Sequence, residues 1–211
     1  MKSNLSDLCY YAEGRVAVMD LDLDTYISTE NMLPNKEGVT HSAGLPTVSQ
    51  TQAYQADDVL VSNIRPYFRK IWFADRDGGC SNDVLVLRAK ETCNPGFLYY
   101  LLSDNNFFEY ATATSKGTKM PRGDKGAIMR YVVPNLPIDT QVWIADTLSA
   151  IDARIAENRK INHHLASLRS ATDSSPDIRW GNRASRVVAK PSFSRPFAKM
   201  VSMKISTASV N

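Results

Sequence analysis

The sequence predicts an α+β chain, a mixed domain of short strands and helices followed by a long coiled-coil-forming helix. Three observations predict it. Short apolar runs at 59–61, 71–73 and 83–89 are set apart by Gly, Pro, Asn and Asp, as short strands are. Helical patterns interrupt them without the regular strand–helix alternation of a doubly wound sheet. Residues 138–170 then pass without Gly or Pro, which suits one uninterrupted helix.

Taken in order, LSDLCYYA places Leu5, Leu8 and Cys9 on one helical face, with Ser3 or Asn4 as cap. DTYISTENMLP reads as a strand entering a loop that stops at Pro34, and residues 35–56 as a surface excursion with one short strand. ADDVLVSNIRPYFRKIWFA gives a strand, a polar interruption and a second extended run. DRDGG at 75–79 is a turn signal before DVLVLRA, so the chain is expected to double back there. CNPGFLYYLLSDNNFFEYATAT looks helical, with Leu98, Leu101, Leu102 and Phe108 inward and Asp104 restarting the helix. SKGTKMPRGDKGAIMRYVVP returns through a basic glycine-containing loop to a last strand at 128–133.

Pro134 and Pro137 bar helix upstream of the final segment, and Asp139 is a natural N-cap. Ile144, Leu148, Ile151, Ile155, Asn158, Asn162 and Leu165 recur at spacings of four and three, a coiled-coil seam that asks for a second helix. The two asparagines favour one register, because only one alignment satisfies buried amides. The domains expected are 1–137, 138–170 and a tail at 171–211. The tail holds seven Lys/Arg and two acidic residues, while the other 170 residues carry 18 basic and 20 acidic side chains. The net positive charge therefore belongs to the tail and does not by itself argue for nucleic-acid binding by the folded part. The tail fits a disordered basic end, and equally a remnant of rearrangement or an out-of-frame extension.

Three cysteines without CxxC spacing read as reduced cytosolic thiols, with no metal site or disulfide framework. His41, His163 and His164 lack ligand partners at metal spacing and read as surface residues. No apolar run is long enough to span a membrane, and the N-terminus lacks a signal-peptide core. Asn63-Ile64-Arg65-Pro66-Tyr67 lies near an Asn-Pro-Pro-Tyr loop that grips a flipped base. Arg65 stands where that loop has a proline, however, and no glycine-rich cofactor turn accompanies it. A small DNA methyltransferase is thus the weaker reading, and no catalytic residue is assigned.

Two basic clusters are candidates for DNA contact. One comprises Lys116, Gly117, Thr118, Lys119, Arg122 and Lys125, with Gly117 and Gly123 allowing close backbone approach. The other comprises Ser62, Asn63, Arg65 and Lys70, whose neighbours Tyr67, Phe68 and Trp72 are expected in part to enter the core by strand alternation. Asn31 and Lys36 are weaker candidates.

Three segments, DLDTYISTENMLPNKEGV, DDVLVSNIRPYFRKIWFADRDGGCSNDVLVLRA and SKGTKMPRGDKGAIMRYVVPNLPIDTQVWIADTLSAIDARIAENRKIN, give the chain its family resemblance. In that order they resemble the DNA-specificity subunit of type I restriction-modification enzymes. The most specific part is a proline-bounded strand leading into Gln-x-x-Ile-Ala-x-x-Leu-x-x-Ile-Asp-x-x-Ile. The resemblance implies a target-recognition domain that reads one part of a bipartite site on double-stranded DNA, and a helix that sets the distance to the other part. It implies no cofactor on this chain: a methylation subunit brings S-adenosylmethionine and a restriction or motor subunit brings ATP, all in a prokaryotic cytoplasm. The usual chain has two such domains and two long helices, so this one is expected to be a half-subunit. It would pair as a homodimer or with another half-subunit. A silent or truncated cassette, acting as an inactive or decoy interaction protein, is the alternative.

Overall fold

The computed structural model describes residues 2–173, with side chains as far as Arg169. The chain begins with β1 (Lys2–Asn4), α1 (Leu5–Leu8), β2 (Cys9–Tyr11), β3 (Arg15–Ala17) and β4 (Tyr26–Ile27). It continues through β5 (Gln50–Tyr54), β6 (Val59–Ser62), β7 (Ile71–Phe73), β8 (Gly78–Cys80) and β9 (Val84–Ala89). Then come α2 (Pro95–Leu102), α3 (Asn105–Ala113), α4 (Lys125–Met129), β10 (Val132–Pro134) and the long α5 (Ile138–Asp173).

These elements form three layers. The middle layer is an antiparallel sheet in the order β2-β9-β6-β7, in which Leu60 pairs with Val86 on one side and Trp72 on the other. Strand alternation sends Val59, Val61, Ile71, Leu85 and Leu87 to one face, where they join Phe97, Leu98, Leu102, Phe107 and Phe108 of α2 and α3. Leu60, Trp72, Val84 and Val86 go to the other face and meet Ile27, Met32, Tyr54 and Cys80. That second face is covered by a sheet in the order β3-β5-β8-β4, whose β4–β8 pair is parallel. Burial on both faces explains why β6 reads as a continuous apolar run rather than an alternating one. Cys9, Cys80 and Cys93 are buried free thiols, each pushed up to about 12 by burial and therefore neutral.

Several sequence expectations are corrected. The DRDGG stretch is not a hairpin turn: Gly78 and Gly79 lie in β8, and β9 returns to pair with β6 instead of β7. Close packing requires glycine here. A Cβ on Gly78 would lie 2.7 Å from the Tyr54 ring, and one on Gly79 would lie 2.6 Å from Leu21. Residues 128–133 are not one strand either, because Asp124 accepts a hydrogen bond from the Ala127 amide (3.0 Å) and starts α4. Only Val132–Pro134 is extended, pairing with β1. The first helix stops at Leu8, and Cys9 opens β2, although Leu5, Leu8 and Cys9 are all buried as expected. Asp139 lies in the first turn of α5 rather than capping it; the Pro137 carbonyl accepts from Thr140 and Gln141. The helix reaches Asp173, three residues past the expected end. The rest of the expected tail, residues 174–211, lies outside the described residues. Among the described residues, no helix is long and apolar enough to cross a membrane.

One ion pair fastens the middle sheet. Asp58 is 1% exposed, and its two carboxylate oxygens each lie 2.7 Å from Arg88, while one also accepts the Gln55 amide. Hydrogen bonding to Asp58 holds the Arg88 guanidinium above its ordinary pKa. Asp58→Ala removes the buried partner and leaves Arg88 partly solvated. Its expected cost is about 2–3 kcal/mol in urea unfolding, below the range for a fully buried pair.

Candidate nucleic-acid interface

The basic segment at 115–125 is a tight hairpin. Lys116 and Arg122 exchange both backbone hydrogen bonds, at 2.8 and 2.9 Å. Gly117 supplies the left-handed corner at φ +94°. Thr118, Lys119 and Met120 form its exposed tip.

This hairpin is joined by backbone to the other candidate cluster through residue pairs more than fifty positions apart in the sequence. The Arg65 amide donates to the Pro121 carbonyl at 2.8 Å, and the Gly123 amide donates to the Asn63 carbonyl at 3.1 Å. Gly123 is buried, and a Cβ there would lie 2.9 Å from Asn63 Oδ1. The close approach expected of this glycine is therefore to the protein's own chain. Residues 62–70 and 115–125 thus form one surface, which an open cleft lined by Tyr11, Arg15, Gln52, Asn82 and Lys125 extends.

Electrostatics distinguish the four cations of the hairpin segment. Lys119 is exposed and makes no ion pair among the described residues. Lys116 pairs with Asp124 at 2.6 Å, and Arg122 pairs with Asp83 at 2.9 Å. Lys125 lies 5.6 Å over the Tyr11 ring, whose hydroxyl donates to the Lys125 carbonyl. Solvent-exposed pairs of this kind contribute only about 0–1 kcal/mol, so a phosphate can take the place of either carboxylate at small cost.

The hydrogen bond from Lys116 and the amide of Ala127 together hold the Asp124 carboxyl at about 2, below its usual 3.8. A depressed carboxyl contributes order above its ordinary value and loses that contribution as pH falls through the depressed one. Its side-chain carbon is expected to titrate near the lower value by NMR. Lys116→Met is expected to move the midpoint upward.

The earlier cluster is rearranged relative to expectation. Ser62 and Asn63 are buried; Ser62 Oγ donates to the Ile64 carbonyl, and the Asn63 amide donates to Asp83. Lys70 turns inward to donate to the Thr29 carbonyl at 2.6 Å, and burial lowers its pKa. Ser62 and Lys70 hold the loop through their side chains, and Asn63 through its backbone amide. Arg65 remains half-exposed at the surface. Asn31 is also internal, donating to the Tyr26 and Thr40 carbonyls. Lys36 and Arg69 share Asn105 Oδ1 at 3.2 and 3.3 Å.

Two residues assigned in part to the core lie outside it. Pro66–Phe68 forms a 3₁₀ turn, leaving Tyr67 48% and Phe68 40% exposed, whereas Trp72 is buried. Arg65 and Arg69 bracket the turn at φ 49° and 53°. Such left-handed backbone at non-glycine residues costs on the order of 1–3 kcal/mol each. The residue before a proline is ordinarily pushed toward extended backbone; Arg65 is held away from it by its neighbours.

The residues expected to form a coiled-coil seam divide in two. Gln141 is buried, bonded to Asn94, Thr92 and Leu136, and Ala145 sits against α2 at Gly96. Tyr100 donates to Asp152 at 2.9 Å. Ile144, Leu148 and Ile151 are half-buried along this docked portion. Every described side chain from residue 153 to 169 is exposed, so Ile155, Asn158, Asn162 and Leu165 project beyond the domain. From there to Asp173 the helix extends roughly 30 Å at 1.5 Å per residue.

His41 pairs with Asp24 at the surface, and His163 and His164 are exposed on α5. Among the described residues, no group of three or more His, Cys, Asp or Glu side chains converges on a common point.

Comparison with known proteins gives a consistent result. The profile of the type I restriction modification DNA specificity domain matches residues 2–166. The type I restriction enzyme EcoDI specificity subunit of Escherichia coli is 24% identical over 158 residues, covering 71% of this chain and 35% of that protein. The HsdS subunit from Thermoanaerobacter tengcongensis superposes with a TM-score of 0.58 at 19% identity, over 87% of this chain and 51% of that one. The type I S subunit from M. genitalium gives 0.52 at 18% identity, over 81% and 44%. The chain therefore spans about a third of the curated relative and about half of each solved chain.

Proposed function

The chain belongs to the type I restriction-modification DNA specificity family, and on that premise we propose that it directs where a methylation complex acts. It reads one half of a bipartite DNA site and carries no chemistry of its own. The observation that carries this reading is the backbone-locked surface made by residues 62–70 and 115–125, where Lys116, Lys119, Arg122, Lys125 and Arg65 meet. Two strands of evidence from physics fit that use. Cations on a glycine-cornered hairpin can follow phosphates, and their guanidinium and ammonium groups can reach guanine edges in a major groove. The layered core behind them supplies the rigidity that base readout needs.

The exposed half of α5 supplies the second part of the reading. Ile155, Asn158, Asn162 and Leu165 pair with a like helix, from a second copy or another half-length subunit. The pairing fixes the separation of two half-sites. A homodimer reads an inverted repeat with a fixed spacer. In this arrangement, a cytoplasmic methylation subunit brings S-adenosylmethionine and a motor subunit brings ATP.

Selection from a randomised duplex pool tests the proposal. The full chain, assembled with its methylation subunit, is expected to enrich two short motifs at constant separation. A pool that stays random after repeated rounds contradicts it.

A further inference from the structure

The geometry points to the Pro66–Phe68 turn as a second kind of DNA contact, an aromatic tip whose Tyr67 and Phe68 rings press into the edge of a base step. This rests on the DNA-reading function proposed above and adds to it a contact that works by stacking rather than by charge.

Two adjacent rings stand in solvent, Tyr67 at 48% and Phe68 at 40% exposure, with centroids 4.8 Å apart. The turn that carries them is fixed at both ends. Arg65 is bonded through its amide to Pro121, Phe68 donates back to the Arg65 carbonyl, Arg69 donates to the Pro66 carbonyl, and the Lys36 amide donates to the Arg69 carbonyl. Arg69 also reaches Asn105 at the start of α3. The left-handed corners at Arg65 and Arg69 turn the rings outward, where an extended chain would send alternate side chains inward. Strained corners that persist at both ends of one exposed turn are a mark of functional presentation.

Charge selects the partner. Residues 62–74 contain Arg65, Arg69 and Lys70 and no carboxylate. Lys70 lies 6.0 Å from the Phe68 ring, and Arg65 Nε is buried without a hydrogen-bond partner. The carboxylates that act on the surrounding cations come from other segments, Glu30 on Lys70 and Asp83 on Arg122. The tip is also bonded directly to the basic hairpin. An aromatic pair bracketed by Arg65 and Arg69 and continuous with a basic hairpin suits duplex DNA better than an apolar protein groove. Pyrimidine–purine steps unstack most readily, so such a step is expected where the tip enters.

Tyr67→Ala/Phe68→Ala in the full chain tests the tip, with the duplex enriched by selection as probe. Binding is expected to weaken about tenfold or more, as loss of a stacking contact does, with the salt dependence unchanged. The exchange Tyr67→Phe/Phe68→Tyr keeps both rings and is expected to keep the affinity. Lys119→Ala is the control, expected to make the salt dependence shallower. Should the double alanine variant lose its thermal transition, Tyr67→Ala alone serves, since it truncates the more exposed ring. Unchanged affinity in a folded alanine variant, with the Lys119 control still effective, overturns the tip and leaves the DNA reading intact. Loss of methylation-subunit binding with DNA affinity unchanged assigns the tip to a protein contact and also overturns it. If neither the wild-type chain nor its complex binds duplex, the function proposed above falls, and the tip with it.

Discussion

A chain carrying Lys116→Ala, Lys119→Ala and Arg122→Ala is expected to bind its DNA on the order of 100-fold more weakly near 0.1 M salt, at about 1 kcal/mol per lost charge-assisted contact. Its affinity is also expected to fall less steeply with added salt, by roughly 0.9 in slope for each phosphate contact removed. Exposure of all three side chains means that this loss comes without loss of folding. It also leaves Asp83 and Asp124 without their ion-pair partners, so the surface loses its net attraction for phosphate. Lys70→Ala is expected to behave differently. It removes a bond to the Thr29 carbonyl, lowers the thermal midpoint and leaves the salt slope unchanged. Fluorescence anisotropy across a salt series, with thermal unfolding of each variant, distinguishes the two.

Ile155→Asp together with Leu165→Asp is expected to abolish pairing of the distal helix and keep the chain monomeric at micromolar concentration. Both positions belong to the proposed seam and are exposed in the single chain, at 44% and 56%. In a paired helix each aspartate would have to be buried without a partner, at a cost of several kcal/mol. Neither residue lies on the portion of α5 that docks on α2, so the thermal stability of the domain should not change. Asn158→Leu with Asn162→Leu is the complementary case: helices should pair more tightly but lose their single register. Sedimentation mass separates the first variant from wild type. The second should broaden the spacing between selected half-sites.

Comparison of these two regions shows what the sequence made legible. The long helix was readable because a Gly- and Pro-free run with apolar spacings of four and three suits one uninterrupted helix whatever packs on it. Where the helix docks was not legible: it depends on Gln141 meeting Asn94 and Ala145 meeting Gly96 across nearly fifty positions, a tertiary fact without a local signal. Strands β6, β7 and β9 of the middle sheet were readable from apolar runs alone, whereas β2 was read as part of a helix. Strand β8 was missed because Gly78 and Gly79 signal a turn by composition, whereas here they permit sheet packing against Tyr54 and Leu21. Helix α4 was missed because one cap, Asp124, outweighs the β-branched and aromatic residues that follow.

At the interface, residue type was a better guide than side-chain direction. The hairpin lysines and Arg122 lie on the surface as basic loop residues ordinarily do, although Lys116 and Arg122 carry acidic partners that sequence spacing does not reveal. In the earlier cluster, alternation failed because Pro66 begins a 3₁₀ turn between two left-handed arginines. That turn exposes Tyr67 and Phe68, while the loop it closes draws Ser62, Asn63 and Lys70 inward. A proline preceded by one arginine and followed by two aromatics and a second arginine was the available signal for an interrupted strand.

The most direct measurement of the central claim is a map of methylated bases in cells that express the cognate methylation subunit with and without this chain. A bipartite motif is expected only with the chain, palindromic if the pair is a homodimer, and is expected to disappear with Ile155→Asp/Leu165→Asp. Unchanged methylation in its presence, with the complex still formed, contradicts it. So does methylation produced by this chain alone.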